Sequence, residues 1–238
     1  MKKIVLLLLA LGLLAAGSVF GEVTFRVLNG AEPPSLDPSL SEDNASHNIL
    51  MALFDGLLVY DPKTNDGIPG MAESYTISPD GKQYNFKIRK NATWSDGVPI
   101  TAKTFVDSWL YTLDPKTASP YAWLMAMVVD GAQAFNEGSA GPEAVKIRAL
   151  DEYTFQVDMV GPVPYVSSML PHTIFACLPL HAIEKYGDKW TLPENIVTNG
   201  AFLLKEWLPQ DHVTVVKNPK YWDAKNVKLD KIIYIASD

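Results

Sequence analysis

Apolar and polar residues alternate over several short stretches of the chain, and this pattern predicts strands. Every second residue from 84 to 88 is a large apolar one, which gives Gln83–Ile88 one apolar and one polar face. The turn sequence Ser78–Gly81 lies between this stretch and Ser74–Ile77, so the two are predicted to form a hairpin. By alternation or by an apolar run, further strands are predicted at residues 23–27, 57–60, 145–150, 154–159, 201–207, 213–217 and 231–235.

Helical spacing and capping residues predict helices between these strands. One begins at Thr101 and has an apolar face from Phe105 to Leu113. Ser46 is predicted to cap another, and Pro179 to start a third that ends at Gly187. No repeat and no low-complexity linker divides the chain. The order of the elements predicts an α+β fold with mixed sheets rather than a regular βαβ series.

The N-terminus has the pattern of a secretory signal peptide. Lys2 and Lys3 precede an apolar run from residue 4 to residue 16, small residues follow, and Val19–Gly21 fits a cleavage site. The run is shorter than the ~20 residues that a membrane-spanning helix needs. We therefore expect cleavage near Gly21 and export to the periplasm. Ser18 stands where a bacterial lipoprotein would have its lipidated cysteine, so no lipid anchor is expected.

Composition narrows the classes of function. The 238 residues are 47% hydrophobic and 20% charged, which is typical of a chain with a sizeable folded core. A formal net charge of −7 argues against nucleic acid or an anionic membrane surface as a partner, because both require a basic footprint. The single cysteine, Cys177, excludes an intramolecular disulfide framework, and its apolar neighbours predict that it is buried.

Motifs for catalysis are scarce. The four histidines are far apart in sequence and no two of them are three or four residues apart, and no nucleophile elbow, phosphate loop or dinucleotide fingerprint occurs. We therefore predict no enzymatic activity, no metal and no cofactor. A secreted hydrolase of peptides or glycans stays open as an alternative, because catalytic triads assemble from residues that are distant in sequence.

Four longer motifs carry a family resemblance. They are WSDGVPITA at Trp94–Ala102, DPKTASPYA at Asp114–Ala122, NIVTNGA at Asn195–Ala201 and NPKYW at Asn218–Trp222. With them the chain closely resembles the family 5 extracellular solute-binding proteins, the peptide-binding subunits of ABC importers. The second motif resembles the oligopeptide-binding branch. The resemblance extends in order over residues 22–238.

This resemblance implies a two-lobed, class II periplasmic-binding-protein-like fold. Members of the family are longer than this chain, and the match ends before the crossover into the second lobe. After the signal peptide (1–21), residues 22–54 and 180–238 are expected to form an incomplete first-lobe sheet core. Residues 55–179 are expected to form a subdomain inserted in it.

The resemblance also implies site residues. The segment of Glu42, Asp43 and Asn44 matches a cleft wall that pairs its backbone with the bound peptide like an added strand, a mode that tolerates many ligand sequences. Tyr121 matches a tyrosine that contacts the ligand from the same lobe, and Asn199 is a further candidate for a polar cleft contact.

The function implied is binding of oligopeptides in the periplasm and their delivery to an inner-membrane ABC permease by a monomeric binding protein. Within the family, the alternative ligands are dipeptides, murein peptides, sugar oligomers and metal chelates.

Overall fold

A computed structural model describes residues 21–237, so the predicted signal peptide lies outside the described residues except for Gly21. Ten strands and six α-helices occur within this range. The strands are β1 (Thr24–Leu28), β2 (Leu58–Tyr60), β3 (Gly67–Pro69), β4 (Ala72–Ile77), β5 (Gln83–Ile88), β6 (Ile147–Asp151), β7 (Thr154–Asp158), β8 (Phe202–Leu208), β9 (His212–Lys217) and β10 (Lys231–Ile235). The helices are α1 (Asn44–Leu53), α2 (Ala102–Leu113), α3 (Ala122–Ala126), α4 (Ala132–Asn136), α5 (Val166–Met169) and α6 (Leu180–Tyr186).

Two four-stranded sheets organise the chain. The first has the order β1-β10-β9-β8, with β1 parallel to β10 and the other neighbours antiparallel. The second has the order β4-β5-β7-β6 and is antiparallel throughout. Strands β2 and β3 form a separate antiparallel pair. These sheets and helices confirm the predicted α+β class with mixed sheets.

The second sheet shows why the alternating pattern predicted its strands. In β5 the side chains of Tyr84, Phe86 and Ile88 are buried, whereas Lys87 between them is exposed. Helix α2 packs on the neighbouring strands β6 and β7 of the same sheet, where the fully buried indole of Trp109 lies 5.0 Å from the ring of Phe155 on β7. The predicted helix start is also confirmed, because Thr101 is the N-cap residue. The backbone N–H of Thr101 donates a hydrogen bond to the hydroxyl of Thr104 at 3.0 Å.

The start of α1 differs from the prediction. Asp43, not Ser46, is the N-cap residue, and its Oδ1 accepts a hydrogen bond from the Ser46 backbone N–H at 2.8 Å. The helix therefore begins at Asn44, whereas the backbone of Asp43 immediately before it is extended. The carboxylate of Asp43 satisfies an amide that the first helical turn leaves free, which explains the earlier start.

The buried apolar side chains of both sheets belong to one continuous cluster. The division at residues 54/55 and 179/180 into a sheet core and an inserted subdomain therefore stays a prediction. Cys177 is fully buried as expected, and burial raises the pKa of its thiol. Among residues 21–237, no helix is both long and apolar enough to cross a membrane.

Candidate functional site

The buried residue Asp37 holds the backbone between β1 and α1 in place through several hydrogen bonds. Oδ1 of Asp37 accepts hydrogen bonds from the backbone N–H and the hydroxyl of Ser39, at 2.8 and 2.6 Å. Its Oδ2 accepts one from the indole of Trp190 at 3.2 Å, and its backbone oxygen accepts one from the N–H of Ser41. Burial raises the pKa of Asp37. These bonds fix the backbone immediately before Glu42.

The next three residues leave backbone groups unused. Within residues 21–237, neither the N–H nor the C=O of Glu42 has a hydrogen-bond partner, and the N–H groups of Asp43 and Asn44 have none. Glu42 and Asn44 are exposed, and the backbone of Asp43 is extended. Exposed donors and acceptors of this kind are available to an added strand or to water.

A pocket of about 190 Å³, here called the cleft pocket, opens beside this segment. It brings together four of the five predicted site residues, Glu42, Asp43, Asn44 and Tyr121. All of its lining residues are Ser41, Glu42, Asp43, Asn44, His47, Tyr121, His172 and Thr173.

Three aromatic rings of the pocket lining and the neighbouring ring of Trp123 form a continuous set of contacts, which we call the ring row. The rings of His47 and His172 have centroids 4.9 Å apart, and Tyr121 stacks on His172 at 5.6 Å with only 18° between the ring planes. Trp123, which is 53% exposed, continues the row at 5.9 Å from Tyr121. Offset ring pairs at these distances are mutually stabilising.

Both imidazoles of the ring row are held in the neutral form near pH 7. Burial, with a smaller contribution from His47, lowers the pKa of His172 to about 4. The pKa of His47 is also lowered by burial, and the nearby Asp43 carboxylate opposes this change. Nδ1 of His172 accepts a hydrogen bond from the backbone N–H of Ile174 at 3.2 Å, so the proton of the neutral ring is on Nε2.

The pocket therefore combines two carboxylates, unused main-chain groups and a neutral aromatic wall. Sequence reasoning missed the two histidines, because they lie far apart along the chain and no spacing rule links them. The imidazole Nδ1 of His47 lies 3.2 Å from the hydroxyl of Thr173, a contact between α1 and the loop after α5 that only the folded chain creates.

Asn199 lies away from the cleft pocket. Its side chain is 1% exposed. The amide oxygen accepts a hydrogen bond from the Asp55 backbone N–H at 3.1 Å, and Nδ2 donates to the Asp55 carbonyl at 3.0 Å. Nδ2 also lies 3.3 Å from Sγ of Cys177. With its polar atoms engaged in this way, Asn199 acts as an internal brace, and we leave it out of the proposed site.

A second hollow adjoins the cleft pocket across the His172 ring, which lines both. We call it the apolar depression; its volume is about 310 Å³. No acidic or lysine or arginine side chain lines it. The lining residues are Tyr60, Leu124, Tyr165, Ser168, Met169 and His172.

Comparison with known proteins places the chain in a family. Residues 67–238 match the bacterial extracellular solute-binding proteins, family 5. The chain is 40% identical over 215 residues to the probable deoxycholate-binding periplasmic protein YgiS of Escherichia coli strain K12, and 40% identical over 208 residues to the periplasmic oligopeptide-binding protein OppA of Salmonella typhimurium. These alignments cover 90% and 87% of this chain.

A solved structure agrees with the sequence comparison. The fold superposes with a TM-score of 0.88 on the crystal structure of a periplasmic oligopeptide-binding protein, OppAIV, from Borrelia burgdorferi, at 40% identity. The match covers 91% of this chain and 43% of that one. The chain spans 40% and 38% of the lengths of the two curated relatives. On the match over residues 67–238 and these identities, the chain belongs to the bacterial extracellular solute-binding proteins of family 5.

Proposed function

We propose that this chain binds oligopeptides at the cleft pocket and serves their delivery to an ABC permease of the inner membrane. The single observation that carries the proposal is the stretch Glu42–Asn44, in which the three N–H groups and the C=O of Glu42 have no partner among residues 21–237. A peptide backbone lying beside this stretch would pair with those groups in the manner of an added strand. Main-chain pairing is the same for every peptide sequence, which suits a transporter of mixed peptides.

The charge of the pocket supports a ligand with N–H or ammonium donors. Glu42 and Asp43 contribute carboxylates, and the imidazoles of His47 and His172 are neutral at pH 7, so no cation of the pocket lining offsets them. The names of relatives agree with this ligand class, since OppA of Salmonella typhimurium is named an oligopeptide-binding protein. Relatives are also named periplasmic, which supports the predicted export.

The proposal is tested by titrating the ¹⁵N-labelled protein with di-, tri- and pentapeptides of unrelated sequence while amide NMR signals are recorded. We expect the signals of Glu42–Asn44 and of residues around Tyr121 to shift with every tri- and pentapeptide. Strand β6, at the edge of the second sheet, contributes no residue to the pocket lining, so its signals serve as the internal reference that does not shift. If no peptide moves the Glu42–Asn44 signals, the proposed function is wrong.

A second candidate is an amphipathic steroid. YgiS of Escherichia coli, which is 40% identical to this chain, is named a probable deoxycholate-binding protein, and the apolar depression offers an uncharged surface beside the carboxylates of the cleft pocket. The same NMR titration with deoxycholate below its micelle concentration separates the two candidates. A steroid ligand would shift signals around Tyr165 and Met169 and leave those of Glu42–Asn44 in place.

A further inference from the structure

The outer edge of strand β1 has no neighbouring strand among residues 21–237. Strand β1 ends the first sheet and pairs only with β10. The backbone N–H of Asn29, just after β1, donates to the carbonyl of Ile235 at 2.8 Å, so the odd-numbered residues of β1 bond to β10. Because the backbone groups of a strand alternate between its two sides, the outward N–H and C=O groups are those of Thr24, Arg26 and Leu28.

The three other edge strands of the two four-stranded sheets are interrupted by β-bulges, whereas β1 is regular. The extra residues are Glu73 in β4, Leu150 in β6 and Lys205 in β8. Strand β1 pairs with β10 without a register shift along its whole length. Bulges turn an edge away from pairing with another chain, so β1 is the edge of these two sheets that stays open to an added strand.

Exposed apolar side chains accompany this open edge. Val23 and Phe25 are each 50% exposed, and Leu28 is 70% exposed. Side chains alternate along a strand, which places Val23, Phe25 and Val27 on one face. A regular edge strand with exposed apolar side chains is a template for pairing with another chain.

The sequence of β1 is complementary to itself in one antiparallel register. When two β1 strands meet across a two-fold axis at Phe25, the two Phe25 rings lie opposite each other, and Val23 of each copy lies opposite Val27 of the other. Aromatic and β-branched residues are favourable cross-strand pairs. The register also brings the outward backbone groups of Thr24 and Arg26 of the two copies together, as an isologous interface requires.

The charged residues favour the same register. Arg26 is exposed and makes no ion pair within residues 21–237. In the register centred on Phe25, Arg26 lies opposite Thr24 of the second copy and diagonally across from its Glu22, which is within reach of a long side chain. A two-fold axis at Arg26 would instead place the two guanidinium groups opposite each other, and like charges in that position are destabilising.

We propose that β1 is an interface between two copies of this chain, which pair antiparallel across a two-fold axis at Phe25 and join their first sheets into one sheet of eight strands. This pair departs from the monomer that the family resemblance implies. It is independent of the proposed function, because no residue of β1 lines the cleft pocket.

Sedimentation equilibrium of the protein over a range of concentrations tests the pairing. We expect the mass to rise from that of one chain to that of two, with a dissociation constant on the order of 10 µM, since the interface is small. The mass of a single chain up to about 1 mM would overturn the proposal. A mass that continues to rise beyond two chains would also overturn it, because a two-fold interface closes after one pairing.

A charge swap at Phe25 tests the register. Phe25→Lys and Phe25→Glu should each weaken association about tenfold or more, because like charges then lie opposite each other, whereas an equimolar mixture of the two should pair again. Leu150→Lys is the matched control, because Leu150 is 53% exposed on the bulged edge strand β6, and association should stay unchanged. A mixture no more associated than the separate variants would overturn the proposal.

A proline tests the contribution of the backbone. Arg26→Pro removes an outward N–H and keeps the bonds to β10, so it should fold and weaken association about tenfold or more. Arg26→Ala keeps the N–H and should weaken association only about threefold, the effect of losing an exposed ion pair. Circular dichroism checks folding. Undiminished association of a folded Arg26→Pro protein, or an equal loss in Arg26→Ala, would overturn pairing through the β1 backbone.

Discussion

Asp55 and Asp37 are the two buried acids of the described chain, each 5% exposed, and the hydrogen bonds of the Asp55 carboxylate are all internal. Its Oδ2 accepts hydrogen bonds from the Tyr221 hydroxyl at 2.7 Å and from the Trp222 indole at 3.3 Å. The guanidinium of Arg89 lies 3.7 Å from the centroid of the Trp222 ring, on the other side of this cluster. Burial raises the pKa of Asp55 from 3.8 to about 6, although the hydrogen bonds from Tyr221 and Trp222 oppose the rise.

This raised pKa predicts a pH dependence of stability. The folded state binds the Asp55 proton more tightly than the unfolded chain does, so the contribution of Asp55 is greatest below pH 3.8 and is lost as the pH rises to about 6. The full change corresponds to about 3 kcal/mol at most. Asp55→Asn removes the titrating group and keeps an acceptor for Tyr221. We therefore subtract the unfolding free energy of Asp55→Asn from that of the wild type at each pH. This difference should be more positive at pH 4 than at pH 7.5.

Urea unfolding of both proteins at the two pH values measures this difference, and all other titrating groups cancel in the comparison. An equal difference at both pH values would show that Asp55 titrates as an ordinary carboxyl.

Sequence reasoning identified single site residues where a family resemblance pointed to them and missed those that only the fold brings together. Glu42, Asp43, Asn44 and Tyr121 came from a family resemblance and line one pocket. His47 and His172 carried no local signal, because their ring contact joins α1 to the segment that follows α5. Asn199 came from the same resemblance, but its side-chain oxygen and nitrogen are both hydrogen-bonded to the backbone of Asp55. Motif spacing does not reveal these hydrogen bonds.

At the scale of elements, the end of α1 and the start of β8 are in close contact at Gly200. The backbone N–H of Gly200, just before β8, donates to the carbonyl of Leu53 at the end of α1 at 2.8 Å. A Cβ on Gly200 would lie 2.6 Å from the carbonyl oxygen of Ala52 and 2.5 Å from the carbonyl carbon of Leu53. Because both are backbone atoms, a larger residue forces the helix and the strand apart.

Gly200→Ala should therefore destabilise the protein by about 1–3 kcal/mol or more, as overpacking against an unyielding neighbour does. Gly161→Ala is the matched control, since a Cβ there would meet nothing within 4 Å and should change stability by less than about 1 kcal/mol. Urea denaturation of the two variants checks the prediction. Equal stability of both variants would mean that α1 and β8 separate at no cost.

Element prediction succeeded where a period could be seen. Strand β5 shows the two-residue alternation over its whole length, and α2 shows both a capping residue and an apolar face. The elements that were not predicted are short, such as β3 with three residues and α5 with four, and so hold fewer than two full periods, which is too few for a repeat to be recognised. Their positions follow from packing, as the close contact of Gly67 with Ser167 illustrates.

At the scale of the whole molecule, the cleft pocket is small for the peptide ligand that we propose. Its volume of about 190 Å³ is below the ~300–1,000 Å³ of pockets that bury most of a drug-sized ligand. We therefore expect dissociation constants in the millimolar range for tripeptides, about 10³-fold weaker than micromolar binding, because little ligand area is removed from water. Isothermal calorimetry or the NMR titration measures this constant. Sub-micromolar binding by the same protein would contradict this expectation.

The central claim is that the main chain of Glu42–Asn44 holds the ligand, and Asn44→Pro tests it directly. Asn44 is the first residue of α1, a position that favours proline, and the preceding Asp43 already has the extended backbone that a following proline requires. The substitution therefore preserves the fold and removes one unused N–H. Asn44→Ala is the control, because it changes the side chain and keeps the N–H.

The deciding measurement is the affinity of wild type, Asn44→Pro and Asn44→Ala for a panel of tri- to pentapeptides of unrelated sequence, determined by NMR titration. If the N–H of Asn44 pairs with the ligand backbone, Asn44→Pro should bind every peptide about fivefold or more weakly, the effect of about 1 kcal/mol for a lost hydrogen bond. Asn44→Ala should bind like wild type. Undiminished binding of the whole panel by a folded Asn44→Pro protein would contradict the claim.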